Sequence, residues 1–209
     1  MDYTKESCRD FARLLASAEP TPGGGGAAAI AAALGSALGE MVAALTLGKK
    51  RYAQVEPEIR AAAEELGRLR ERLLDMVMED ARGFEPLSRA YRLPKDQPGR
   101  DEILEKATLA ACDAPLEIVD LGSKALKCVE IMAEKGSVMA VSDAGCAAAM
   151  IKAAVDSAAL NVYINTKSLK DRKRAESMNT ACHEMQDECA LLAEEIYTKV
   201  KSSLLGQES

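Results

Sequence analysis

Residues 20–52 read PTPGGGGAAAIAAALGSALGEMVAALTLGKKRY. Two prolines stop whatever precedes them, four glycines follow, and Gly26 to Leu47 is then apolar except for Glu40. A segment of that length can span a bilayer. Its strong hydrophobes are Ile30, Leu34, Leu38, Met41, Val42, Leu45 and Leu47. At roughly −0.5 kcal/mol each, they are about cancelled by one central carboxylate at roughly +3 kcal/mol. The segment therefore reads as a buried central helix, and no membrane association is expected. Gly35 and Gly39 lie four residues apart, with Ala at 28, 31, 32 and 43. That stripe of small residues lets a second helix backbone approach closely.

The rest of the chain agrees. Its 209 residues are 48% hydrophobic but only 3% aromatic, with no Trp and two Phe. Ala, the best helix former, is present at about twice its ordinary share. Strands favour the aromatic and β-branched residues that are scarce here, which excludes an all-β fold and argues against a parallel sheet. The expectation is an all-α, single-domain bundle of about six helices over residues 1–209, with two Ala-rich central helices. A net charge of −6 argues against nucleic acid as a partner, since such binders need a basic face. The opening MDYTKESCRD shows no basic-then-apolar signal, so a cytoplasmic location is expected. Cys8, Cys112, Cys128, Cys146, Cys182 and Cys189 show no C-x-x-C pairing and read as small core hydrophobes.

The expected helices run over Tyr3–Ala18, Gly26–Leu47, Glu56–Arg92, Arg100–Ala133, a second Ala-rich stretch to Asn165, and Leu169–Ser202. Ser142 is expected to cap the fifth, with Asp143 in its first turn. Pro115 falls inside the fourth and should bend it.

Several positions suggest chemistry. Gly23 to Gly26 precede a helix, and bare N–H groups there bind anions; a tight turn for close packing accounts for them equally well. They form neither a P-loop nor a dinucleotide fingerprint. Lys49-Lys50-Arg51 holds an anion or simply complements a helix C-terminus. Asp80 lies four before Phe84 and seven before Leu87, on the apolar stripe of its helix, where a carboxylate needs a partner or a function. Asn161 and Asn165 share a helix face and need partners if buried. His183 is the only histidine, and His183 with Asp187 is too small a ligand set for zinc, so no metal is expected.

Read in order, these residues resemble the formiminotransferase-cyclodeaminase family, specifically its cyclodeaminase/cyclohydrolase domain. The resemblance is carried by Pro20-Thr21-Pro22-Gly23-Gly24-Gly25, Met41-Val42, Thr46, Gly48-Lys49-Lys50-Arg51-Tyr52 and Asp80-Ala81-Arg82-Gly83-Phe84. It continues through Leu93-Pro94-Lys95, Ala114-Pro115-Leu116, Val141-Ser142-Asp143-Ala144-Gly145, Asn161-Val162 and Ile164-Asn165. Where the family often has Gly-Asn ahead of the Ser-Asp segment, this chain has Lys135-Gly136-Ser137-Val138.

The resemblance implies an all-α homodimer or larger assembly acting on a tetrahydrofolate derivative, with no metal or organic cofactor. Cyclodeamination converts 5-formiminotetrahydrofolate to 5,10-methenyltetrahydrofolate and ammonia, and is expected ahead of the related methenyltetrahydrofolate cyclohydrolase activity. A non-catalytic folate- or partner-binding subunit is the third reading. The chemistry needs a tuned acid–base group. Asp143, Asp80 and Lys49 are the expected catalytic residues. Gly23, Gly24, Gly25, Lys50, Tyr52, Asn161 and Asn165 are the expected substrate contacts, with Lys49, Lys50 or Arg51 on the anionic glutamate tail. Tyr52, Tyr163 and Phe84 are among the few surfaces on which a pterin could stack.

The central helix is about 33 Å long at 1.5 Å per residue, so the glycine loop and Lys49 lie at its opposite ends. Asp80, Asn161 and Asn165 are expected near the first, Asp143 and Tyr52 near the second. Only an antiparallel dimer would join the two clusters.

Overall fold

In the computed structural model, residues 2–207 are described, and no β-strand occurs among them. Six α-helices follow in order: α1 (Cys8–Leu15), α2 (Gly24–Ala44), α3 (Glu56–Tyr91), α4 (Arg100–Lys135), α5 (Val141–Thr166) and α6 (Arg172–Leu204). Short 3₁₀ turns at Tyr3–Lys5, Lys50–Tyr52 and Val138–Ala140 link them. Helices α2, α3, α4 and α5 form a ring in which each packs on the next and α5 closes on α2. Helix α6 lies along α5 and α4. The all-α expectation holds.

The small residues set the helix spacing. A Cβ on Gly35 would stand 2.6 Å from Ile151 of α5, and one on Gly39 would stand 2.7 Å from Leu66 of α3. Either contact would push apart helices whose shared core is Ala28, Ala29, Ala32, Leu66, Leu73, Met76, Ile118, Leu126 and Ile151. Glu40, the lone carboxylate of α2, is half-buried and pairs with Arg70 of α3 at 2.5 Å. By length and composition α2 and Val138–Thr166 would both suit a bilayer. In the fold they pack on each other, with about half of each buried.

Four expectations change. The first helix shrinks to Cys8–Leu15; it has no buried residue, and Ala18 lies outside it. The central helix begins two residues early, at Gly24, because the glycine run joins it, and it ends at Ala44. Ser142 is not a cap: the Val138–Ala140 turn has already wound the chain, so Ala140 occupies the cap position without a side-chain bond. Asp143 does sit in the first turn. Of the cysteines, Cys112, Cys182 and Cys189 are core residues, whereas Cys8 and Cys146 are exposed.

Helix α4 passes through Pro115 without interruption. Proline there withdraws the N–H that Ala111 O would accept. The side-chain amide of Asn165 replaces it, donating to Ala111 O at 2.8 Å. A long-range side chain thus repairs the helix and fixes the C-terminal turns of α5 against α4.

Candidate active site

The N-terminus of α2, the middle of α3 and the end of α5 meet around a cleft of about 150 Å³. Its walls include Thr21, Gly23, Gly24, Gly25, Asp80 and Phe84 on one side and Pro115, Asn161, Ile164 and Asn165 on the other. Three parts of the sequence predicted to converge here do so.

Asp80 is the one ionisable side chain among the described residues that line this cleft. Burial pushes its carboxyl up to about 6, and the backbone N–H of Gly26 partly opposes that by favouring the charged form. A helix N-terminus also favours a carboxylate, so the net rise shows how far desolvation outweighs it. The fit depends on Gly25, where a Cβ would stand 2.2 Å from Asp80 Oδ1. Real Cβ atoms do not come that close, so any side chain at 25 displaces the carboxylate. The glycine run therefore serves close packing onto Asp80 as well as exposing N–H groups.

The two asparagines differ. Asn161 Nδ2 donates to Ser157 O at 2.8 Å, one turn back, and its amide lies against Gly24, where a Cβ would be 3.0 Å from Nδ2. Asn165 gives one amide N–H to Ala111 O, which leaves its carbonyl oxygen and its second N–H to offer a ligand.

The second cluster forms at the far end of α2, about 30 Å away over its 21 residues. Buried Thr46 donates to Val42 O and accepts from Ser137 N, both at 2.7 Å, which ties α2 to the α4–α5 connection. Tyr52 Oη accepts from Val138 N at 3.2 Å. That bond, with Ser137 and the charges of Arg51 and Lys49 adding to it, holds the phenol below its usual range. Arg51 stacks over the Tyr52 ring, 5.6 Å from its centroid. Lys49 and Lys50 are exposed, and no ion pair joins either to a described residue. Asp143 is half-exposed in the first turn of α5, at this same end.

One chain therefore holds two clusters and does not bring Asp143, Lys49, Lys50 or Tyr52 to Asp80. Of the flat side chains, Phe84 lines the Asp80 cleft, while Tyr163 turns to α6 and hydrogen-bonds Gln186 at 3.0 Å. Ile164 and Pro115 were not expected as wall residues, although both stand inside the motifs Ile164-Asn165 and Ala114-Pro115-Leu116. Among the described residues no group of three His, Cys, Asp or Glu is arranged to hold a metal.

Fold and cleft together define an all-helical protein with one desolvated carboxyl in a cleft between its helices. Comparison with known proteins makes the assignment particular: residues 7–184 match the formiminotransferase-cyclodeaminase family, and the chain belongs to it. It is 40% identical over 203 residues to a methenyltetrahydrofolate cyclohydrolase from Methylorubrum extorquens, covering 95% of this chain and 98% of that one. It is 32% identical over 167 residues to formimidoyltransferase-cyclodeaminase from Gallus gallus, covering 78% of this chain but 31% of that longer protein. Among solved structures, formiminotetrahydrofolate cyclodeaminase from Thermotoga maritima superposes with a TM-score of 0.81 at 31% identity, over 97% of each chain. The chain is thus a member of an enzyme family of cyclodeaminases and cyclohydrolases.

Proposed function

We propose that this chain is a methenyltetrahydrofolate cyclohydrolase, interconverting 5,10-methenyl- and 10-formyltetrahydrofolate. The observation that carries this is the 40% identity along 98% of a chain bearing that name. The named cyclohydrolase thus matches as a whole chain, whereas the bifunctional relative matches as a segment. This reverses the order expected from sequence alone, where cyclodeamination came first.

Asp80 suits the chemistry. The methenyl bridge is cationic, and a carboxylate beside it complements the charge. Water adds to the bridging carbon while Asp80 accepts its proton. The resulting tetrahedral adduct then breaks its bond to N5, which takes the proton from Asp80, while the adduct's hydroxyl gives its own proton to the freed carboxylate and on to solvent as the formyl C=O forms; one proton is released overall. A carboxyl near 6 can perform both transfers close to neutral pH. Cyclodeaminase remains the second reading, favoured by the likeness to the T. maritima cyclodeaminase structure. There the base would take the N10 proton and return it to the departing ammonia.

The working unit on this reading is a homodimer. Helices α2 and α5 leave Leu34, Met41 and Leu45 on α2 and Leu160 and Ile164 on α5 exposed. Leu160 and Ile164 are 67% and 62% exposed, and Ile164 also walls the Asp80 cleft. An exposed apolar patch of this kind marks an interaction surface. An antiparallel partner would bring its own Lys49, Tyr52 and Asp143 toward Asp80.

The deciding experiment offers purified protein each substrate separately. Methenyl absorbance that decays faster than in buffer supports the cyclohydrolase. Methenyl absorbance that grows from the formimino substrate with ammonia release supports the cyclodeaminase. Folate binding with neither activity supports a silent subunit. Ultracentrifugation should give a dimer that Leu160→Glu dissociates; a monomeric wild-type protein with full activity would remove the shared-site reading.

A further inference from the structure

The Asp80 cleft is too small for the substrate proposed above. Sites for drug-sized ligands occupy about 300–1,000 Å³, and this one offers about half the lower bound. It does not end blindly. A second cleft of about 330 Å³ adjoins it and shares the walls Pro20, Thr21 and Phe84. Its other lining residues are Glu85, Ser88 and Arg89 from the last turns of α3 and Arg92, the residue that caps it. Together the two spaces reach the size of a ligand site.

The helix gives this pair of clefts an order. Asp80, Phe84, Ser88 and the cap residue Arg92 recur every four residues and so form one row, a ridge that winds about a third of a turn around α3 as it rises. Asp80 and Arg92 are separated by about 18 Å of axis at 1.5 Å per residue. Arg92 lines the second cleft, so it borders the space that continues into the Asp80 cleft past Phe84. An arginine spans roughly 6 Å and an aminobenzoyl group with its amide roughly 10 Å by ordinary covalent dimensions. Those lengths fill the interval between a reacting carbon at Asp80 and a terminal carboxylate at Arg92.

The charges agree. Arg92 makes no ion pair with any described residue, whereas Arg89 is paired with Glu85 at 2.8 Å in an exposed i,i+4 contact. Such a contact is weak and yields to a better-placed carboxylate. A guanidinium offers the two-pronged donor geometry that carboxylates accept.

We propose that Arg89 and Arg92 form the carboxylate-end subsite of the Asp80 cleft. The substrate lies along the Asp80–Phe84–Ser88–Arg92 row, its reacting carbon at Asp80, its aryl ring against Phe84 and its glutamate carboxylates at the two guanidiniums. This replaces Lys49, Lys50 and Arg51 as holders of the tail. The proposal rests on the folate reading above and adds the direction in which the substrate lies.

The test compares methenyltetrahydrofolate with its diamide, in which both glutamate carboxylates are neutral. Arg92→Gln and the Arg89→Gln/Arg92→Gln pair should raise KM for the natural substrate by about tenfold or more. Their kcat should stay within about twofold, and KM for the diamide should be unchanged. Arg60→Gln, on the same helix and distant from both clefts, controls for net charge. Equal KM in wild type and both variants overturns the subsite, as does an equal loss for natural substrate and diamide. A carboxylate-dependent KM effect confined to Lys49→Gln, Lys50→Gln or Arg51→Gln also overturns it. If wild type turns over neither methenyl nor formimino substrate and calorimetry detects no tetrahydrofolate binding, the folate reading itself fails and takes the subsite with it.

Discussion

Replacing Asp80 by Asn should lower activity at least about tenfold and make the protein more stable, by an amount that depends on pH. The carboxyl is held at about 6 in the fold against an ordinary 3.8. Its pKa is raised, so the folded state binds the proton more tightly than the unfolded chain does. Stability then falls as pH rises from about 4 to about 6, and the whole penalty is present above that window. At 1.36 kcal/mol per unit the penalty is about 3 kcal/mol. An asparagine keeps the shape, carries no charge, and can still accept the Gly26 N–H through its carbonyl. At pH 8, Asp80→Asn should therefore raise Tm by roughly 6–12 °C, given about 2–4 °C per kcal/mol for a chain of this size. Near pH 4 the gain should shrink to below about 1 kcal/mol, because the wild-type carboxyl is then protonated in the fold and nearly half protonated in the unfolded chain. Calorimetry or thermal circular dichroism at both pH values, at one fixed protein concentration, measures this directly. A variant that is destabilised at pH 8, or equally stabilised at both pH values, would refute the view that Asp80 is a desolvated carboxylate.

Three further outcomes follow from the same site. Gly25→Ala should leave the helix intact or slightly favoured, since Ala exceeds Gly by up to about 1 kcal/mol in helices. It should nevertheless lower kcat by about 100-fold, because the new Cβ must move Asp80 by about 1 Å; unchanged kcat would show that the carboxylate position is not critical. The pH profile of kcat/KM should fall about tenfold per unit below an apparent pKa near 6, and in Asp80→Asn that limb should vanish. Asn165→Leu should cost about 1–3 kcal/mol, seen as a Tm drop of several degrees, because Ala111 O then has neither a helical nor a side-chain donor; an unchanged Tm would remove Asn165 from that repair.

What the sequence made legible was whatever depends on local spacing. The Gly35–Gly39 stripe predicted helices in close contact, and those two positions are where added Cβ atoms would collide with Ile151 and Leu66. Asp80 stood out because a charge on an apolar stripe violates the local pattern. Ser142 failed as a cap because a 3₁₀ turn had already started the helix, and propensity at one residue does not reveal the conformation of the three before it. The pairing of Asn165 with the carbonyl left open by Pro115 spans 54 residues and has no local signature. Arg89 and Arg92 went unnoticed for another reason. On an exposed helix face they look like any solvated arginines until the fold places a cleft beside them.

Whether the Asp80 cleft hydrates a methenyl bridge is decided by the decay of 5,10-methenyltetrahydrofolate absorbance, followed with wild type and Asp80→Asn side by side. Wild type should accelerate the decay well beyond buffer, and Asp80→Asn should lose at least about tenfold of that rate while remaining folded. Decay at the buffer rate with wild type, or at the wild-type rate with Asp80→Asn, would be incompatible with that role for Asp80.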